Sequence, residues 1–65
     1  MIREHDTVVL TRDISERSLR AGDVGAVVHV YDAGRAFEVE FVAGDGRTVA
    51  VLTLEAGDVR AVTEA

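Results

Sequence analysis

Apolar and polar residues alternate most regularly in the stretch AFEVEFV. Its apolar positions, Phe37, Val39 and Phe41, share one face of an extended chain, because successive side chains of a strand point to opposite sides. Glu38 and Glu40 share the other face. This pattern predicts a half-buried strand with one solvated side.

Four more runs are rich in valine and threonine, whose branched side chains favour a pleated chain over a helix. They are Thr7–Thr11, Ala26–Tyr31, Arg47–Thr53 and Arg60–Val62. The chain therefore predicts five short strands.

Glycine and aspartate occupy the links between these runs, and the chain has no proline. The tripeptide Ala-Gly-Asp occurs three times, at 21–23, 43–45 and 56–58, with uneven spacing. We interpret it as turn chemistry and not as a repeat, since glycine supplies unusual dihedral angles and aspartate bonds to nearby backbone. The last copy predicts a single 3-10 turn before the final strand. The first long link is irregular, and Ile14 and Leu19 are expected to pin it to the core.

The link between the third and fourth strands decides their register. A three-residue loop at 44–46, with Gly46 left-handed, sets Phe41 opposite Val49. A two-residue turn would set Phe41 opposite Ala50 instead. We prefer the first register, because aromatic and β-branched pairs support a sheet best.

Five strands, a long first link, two tight hairpins and a 3-10 turn before the last strand predict an all-β fold. We expect one domain, residues 1–65, with the form of a small five-stranded SH3-like barrel. An OB-type barrel is the alternative, but it usually needs a longer chain and a helix between strands three and four. Gly25 is expected to permit a close backbone approach. The predicted core is Val8, Leu10, Val27, Phe37, Val39, Phe41, Val49, Val51, Val59 and Val62.

The amino-acid composition limits the classes of function that the chain can have. The 65 residues carry a net charge of -5, which opposes binding to phosphate backbones and is more compatible with a basic protein partner. The absence of cysteine excludes disulfides and thiol nucleophiles. Without a long apolar run or a signal-peptide pattern, we expect a cytoplasmic protein with no membrane segment.

Candidate chemical groups do not form a recognisable catalytic or metal-binding set. His5 and His29 lack the spacing of a ligand motif, and His29 is expected on the inward side of its strand, at the rim. Ser15 and Ser18 stand on the long link without a nucleophile elbow. We therefore expect a protein that is not an enzyme and has no cofactor and no metal.

The best candidate for a partner site joins the long link to the hairpin at 32–35, which are expected to lie side by side. A mixed-charge loop can be merely solvated, but arginine forks can also dock a protein. The candidate partner-binding residues are Arg12, Asp13, Glu16, Arg17, Arg20, Tyr31 and Arg35.

The segments HDTVVLTRDI, LRAGDVGAVVHVY, FEVEFV and TVAVLTLEAGDVRAV resemble the short bacterial proteins catalogued as domain of unknown function 4926. Members often carry a proline where Ser15 stands. The resemblance covers nearly the whole chain and implies no catalytic residue. More distantly, the turn at 22–25 is similar to turns in KOW domains and in the barrel of nitrile hydratase β subunits.

These observations favour a non-catalytic module that binds another protein, such as one encoded nearby, in an accessory, antitoxin-like or immunity-like role. A KOW-like nucleic-acid-binding barrel is the first alternative, opposed by the charge. A self-associating structural module is the second, with Leu52 facing away from the core in the preferred register and available to a homodimer.

Overall fold

A computed structural model describes residues 1–62 of the chain, and the predicted all-β fold is confirmed. Five antiparallel strands form one sheet with the order β4-β3-β2-β1-β5. The strands are β1 (Thr7–Leu10), β2 (Val24–Tyr31), β3 (Ala36–Val42), β4 (Thr48–Glu55) and β5 (Val59–Ala61). Across residues 1–62 there is no helix that is long and apolar enough to cross a membrane.

The links between the strands also follow the predicted order. The 3-10 turn before the last strand is confirmed at Ala56–Asp58. Two further 3-10 turns lie at Ser15–Arg17 in the long link and at Asp32–Gly34 between β2 and β3. Among residues 1–62, β4 and β5 lie at opposite ends of the sheet, so each forms one of its two edges.

The core packs the inner face of β3 against β1, β2 and the long link. Ile14 and Leu19 are both buried, as predicted, and the Ile14 N–H donates to the Leu19 carbonyl at 2.8 Å. The predicted core residues that are buried are Val8, Leu10, Val27, Phe37, Val39, Phe41 and Val59.

Three predicted core residues are wrong. Val49, Val51 and Val62 are each about half exposed, at 49%, 45% and 48%. Val62 follows β5, whose alternation starts from a buried Val59, so position 62 falls on the outward side. On β4 the buried positions are Ala50 and Leu54 instead, and Leu52, which was predicted to face away from the core, packs against it opposite Val39.

A β-bulge in β4 explains this exchange. The predicted three-residue loop is confirmed, because the Ala43 N–H donates to the Arg47 carbonyl at 2.8 Å. Beyond it, Thr48 lies opposite Val42, but the next pair is Phe41 with Ala50. Val49 is the extra residue, and it moves the register by one position. The predicted pair of Phe41 with Val49 is therefore wrong, although the loop that suggested it is right.

A second bulge lies in β2. Val27 pairs with Val39, yet His29 and not Val28 pairs with Glu38. Val28 is the extra residue, so His29 leaves the inward row that Val27 begins. The predicted inward placement of His29 is wrong, since more than half of its side chain is exposed.

Gly25 makes the predicted close approach. A Cβ atom at this position would lie 2.7 Å from Val39 Cγ1 and 2.8 Å from Phe41 Cε1. These distances are shorter than any ordinary van der Waals contact, so a larger residue would have to displace the inner face of β3. The missing side chain thus lets β2 cross close over the Phe41 ring.

Candidate protein-docking face

The start of the long link is fixed to the 3-10 turn at 56–58. Thr11 donates its N–H to the Asp58 carbonyl at 2.9 Å and its hydroxyl to the Gly57 carbonyl at 2.7 Å. Arg12 Nε donates to Asp58 Oδ1 at 2.8 Å. The hydrogen bond from Arg12 lowers the pKa of Asp58 from its ordinary value, and the same contact raises the pKa of Arg12. Arg12 is therefore already engaged with a carboxylate of its own chain.

Acidic residues of the long link bond to its own backbone. Asp13 Oδ1 accepts a hydrogen bond from the Ala21 N–H, and Asp23 Oδ2 accepts one from the Arg20 N–H, both at 2.9 Å. Short aspartate side chains stabilise irregular backbone in this way. Of the predicted partner-binding residues on this link, Asp13 thus has a structural role, while Glu16, Arg17 and Arg20 are exposed.

Tyr31 and Arg35 lie at the other end of β2. The Tyr31 hydroxyl is 3.4 Å from Glu38 Oε1, and its ring meets the His29 ring edge-on at a centroid distance of 4.6 Å. Desolvation, followed by the charge of Glu38 and the hydrogen bond to it, raises the pKa of Tyr31. The Arg35 carbonyl accepts a hydrogen bond from the Ala56 N–H at 3.0 Å.

The predicted grouping of these residues is only partly formed. Arg12 and the backbone of Arg35 both reach the turn at 56–58, which brings these two positions near each other. The tip of the long link, at Ser18 and Leu19, borders the end of the β3–β4 hairpin instead. Within residues 1–62, no hydrogen bond joins the long link directly to the hairpin at 32–35.

The sequence did not identify a different surface, which is formed by the outward-facing side chains of β2, β3 and β4. We call this surface the outer face. These three strands contain no arginine or lysine, and their only charged residues are Glu38, Glu40 and Glu55. Thr53 Oγ1 donates to Glu38 at 2.6 Å, and Thr48 Oγ1 donates to Glu40 at 2.9 Å. Two oriented carboxylates thus stand at the centre of a sheet surface without arginine or lysine, and His29 of β2 lies opposite Glu38.

Exposed valines surround these carboxylates. Val51 lies directly opposite Glu40, and Val24, Val42 and Val49 line one shallow groove beside the tip of the long link. The exposed fraction of each valine on this surface lies between 44 and 55%. The valines are Val24, Val28, Val42, Val49 and Val51. Exposed valines grouped on one face of a sheet are a feature of interaction sites.

The bulges are the reason that the sequence did not reveal part of the outer face. Strict alternation from Val27 and Phe41 sends His29 and Val49 inward, whereas the extra residues at Val28 and Val49 leave both of these side chains exposed. The one signal available was that apolar residues occupy both alternating rows of β4, which strict alternation cannot resolve.

Neither a metal centre nor a buried polar site accompanies this surface. In the part of the chain that the structure describes, no three histidine, aspartate or glutamate side chains are grouped to hold a metal ion. His29 Nδ1 is 3.4 Å from Glu4 Oε2, and both side chains are at least half exposed. An apolar groove formed by Ile2, Val30 and Ala33 lies at the other end of β2 and is open to solvent.

Comparison with known proteins identifies the family of the chain. No curated protein and no solved structure was found to match it. The family model described as "Domain of unknown function (DUF4926)" matches residues 4–61, a range that includes all five strands. The chain therefore belongs to the DUF4926 family, as its sequence pattern suggested.

Proposed function

We propose that this protein is a small non-catalytic module that binds a basic, partly apolar segment of another protein on its outer face. One observation supports this most strongly: two oriented glutamates and five exposed valines share a sheet surface whose strands contain no arginine or lysine. A partner that alternates arginine or lysine with aliphatic side chains complements both features.

The glutamates retain hydrogen-bonding capacity for such a partner. Glu38 accepts through Oε1 and Glu40 through Oε2, so within residues 1–62 the second oxygen of each carboxylate has no hydrogen-bond donor. A carboxylate offers about four acceptor positions, enough for a guanidinium beside the threonine hydroxyl. Because Thr48 and Thr53 already orient the carboxylates, less side-chain entropy is lost on binding.

The net charge of the whole chain also favours a basic partner. A net charge of -5 attracts a basic partner and speeds its encounter with the outer face. It opposes the alternative of a nucleic-acid-binding barrel, since Arg12 is engaged with Asp58 and the outer face is acidic. A cytoplasmic accessory, antitoxin-like or immunity-like protein that covers a basic partner would use this arrangement.

A titration with two synthetic peptides tests the proposal. One peptide alternates arginine with valine, and the other alternates glutamate with valine. We expect the basic peptide to shift the amide NMR signals of β2, β3 and β4, and the acidic peptide to shift none. Shifts confined to residues 12–20, or no response to the basic peptide, would contradict the proposal.

Charge-neutral variants locate the contact. The double variant Glu38→Gln/Glu40→Gln removes two carboxylates from the outer face and is expected to weaken binding of the basic peptide by about two- to thirtyfold, given about 0.2–1 kcal/mol for each of two exposed pairs. The control Glu16→Gln/Asp32→Asn makes the same change in net charge away from the outer face. Equal losses in both variants would show attraction to net charge alone and would overturn the proposed site.

A further inference from the structure

The free edge of β4 is a second interaction surface, distinct from the outer face. We infer that it pairs in antiparallel orientation with β4 of a second copy of this chain, which gives a homodimer with one continuous sheet. This goes beyond the proposed function, because it concerns backbone groups at a strand edge and a different partner.

β4 leaves its far side open. The strand is at one end of the sheet, and in residues 1–62 its ladder is with β3 alone. An eight-residue strand at an edge presents a row of unpaired N–H and C=O groups, which is a template for another strand.

The chain does not protect this edge in the usual ways. Edge strands are commonly shortened or carry a charge or a proline. β5, at the opposite edge, has only three residues and an exposed arginine, Arg60, at its centre. The segment from Thr48 to Leu54 has neither a charge nor a proline. The bulge at Val49 disturbs only the start of β4, so the regular part from Ala50 to Glu55 remains free to pair.

The segment complements itself about a two-fold axis. Glu55 ends the neutral stretch, and at the other end Arg47 already bonds to Asp45 at 2.8 Å, so antiparallel pairing keeps the Glu55 carboxylates of the two copies at opposite ends of the seam. Parallel pairing would place like charges together. Pairing centred on Leu52 sets Val51 opposite Thr53 of the second copy and keeps outward side chains on one face.

Leu52 gains most from this arrangement. It packs against the core but is only partly buried in the monomer. With the centre of pairing at this position, the two copies of Leu52 lie opposite each other and cover their remaining exposed surface. A two-fold contact of this kind is closed, so it ends at a dimer and does not continue into a fibre.

Analytical ultracentrifugation of the full chain tests the inference, at concentrations up to about 1 mM, which detects even millimolar association. We expect the wild-type protein to show a monomer–dimer equilibrium. A monomer throughout this range would overturn the inference and would leave the peptide-binding proposal untouched.

Two double variants test the register. Val51→Lys/Thr53→Lys sets like charges opposite each other across the seam, twice by symmetry, while Val51→Lys/Thr53→Glu sets opposite charges there. Both sites are exposed, and a common circular dichroism spectrum would establish that both variants fold. We expect dimer dissociation constants at least tenfold higher for the first variant than for the second. Equal dissociation constants would place the dimer contact elsewhere and overturn the inference.

Discussion

β3 and β4 are neighbouring strands of similar length, but the sequence pattern identifies the buried face of β3 and does not identify that of β4. β3 alternates strictly, and its inner residues Phe37, Val39 and Phe41 are at most 2% exposed. β4 is apolar on both faces, and a bulge decides which residues turn inward. The core therefore buries Ala50 and Leu54 of β4 while leaving Val49 and Val51 in solvent.

The comparison shows that hydrophobic content alone does not assign a face. Phe41 lies opposite Ala50, and a small residue there leaves room for the ring. The register predicted from pairing preference would have put Val49 there, where two bulky side chains compete for the same space. Val49 and Val51, which the bulge turns outward, join the other exposed valines of the outer face, so one local irregularity links packing to the proposed binding surface.

Among the variants that test this comparison, removal of the Phe41 ring is expected to have the largest effect on stability. Phe41→Ala leaves a cavity beneath β4 and is expected to lower the free energy of unfolding by about 3–5 kcal/mol. A domain of 65 residues has little stability to spare, so this variant is expected to be largely unfolded at 25 °C. Urea denaturation followed by circular dichroism measures the loss, and Phe41→Leu serves as the milder variant. A loss below about 1 kcal/mol for Phe41→Ala would show that the ring is not buried.

The same substitution on the two strands tests the comparison directly. Val39→Ala is expected to cost about 2 kcal/mol, because the side chain is fully buried. Val51→Ala is expected to change stability by no more than about 0.5 kcal/mol, because the side chain is half exposed. Equal losses in urea denaturation would mean that β4 does not turn Val51 outward.

A pair of glycines tests how closely β2 approaches the inner face of β3. Gly25→Ala is expected to cost about 1–3 kcal/mol, since its new methyl group would overlap Val39 and Phe41. Gly44→Ala is the matched control, because no atom lies within 4 Å of its new Cβ. Thermal unfolding measures both. A harmless Gly25→Ala would contradict the close packing of β2 over the Phe41 ring.

The smallest expected effect concerns the turn that follows β4. Arg12 lowers the pKa of Asp58 below its ordinary value of 3.8, so the folded chain binds this proton less readily than the unfolded chain. The resulting stabilisation is fully present above the ordinary value and is lost as the pH falls through the lowered one. Asp58→Asn is therefore expected to flatten the fall of the unfolding temperature on acidification.

Asp45 contributes in the same direction through its hydrogen bonds from Arg47, so some acid sensitivity is expected to persist in Asp58→Asn. Asp32→Asn is the control, because it makes the same change from carboxylate to amide away from the contact between Arg12 and Asp58. If Asp58→Asn and the wild type lose stability in parallel below about pH 4, the contact between Arg12 and Asp58 does not contribute to folding stability.

Much of the fold could be predicted because its signals are local. The clean alternation of β3 identified its buried face, and Gly44–Gly46 identified the loop that follows. Ile14 and Leu19 could be assigned to the core because they are apolar residues in a polar link. These elements depend on the nearest few residues and on which residues are hydrophobic, and the sequence shows both.

The bulges could not be predicted, and with them the outer face. At Val28 and Val49 the chain is valine-rich on both sides, so no change of pattern marks the extra residue. Its position is set by the fit of Ala50 beneath Phe41 and of Val30 against the core, which are contacts between distant parts of the chain. The candidate residues Arg12, Asp13 and Arg35 were visible as charges, but their bonds within the chain were not.

The register of β3 and β4 is the most direct test of this account, and nuclear Overhauser contacts between backbone protons of the two strands measure it. We predict cross-strand contacts of Phe41 with Ala50 and of Val39 with Leu52. Contacts of Phe41 with Val49 and of Val39 with Val51 would show an unbulged β4, would return both valines to the core, and would contradict the outer face on which the proposed function depends.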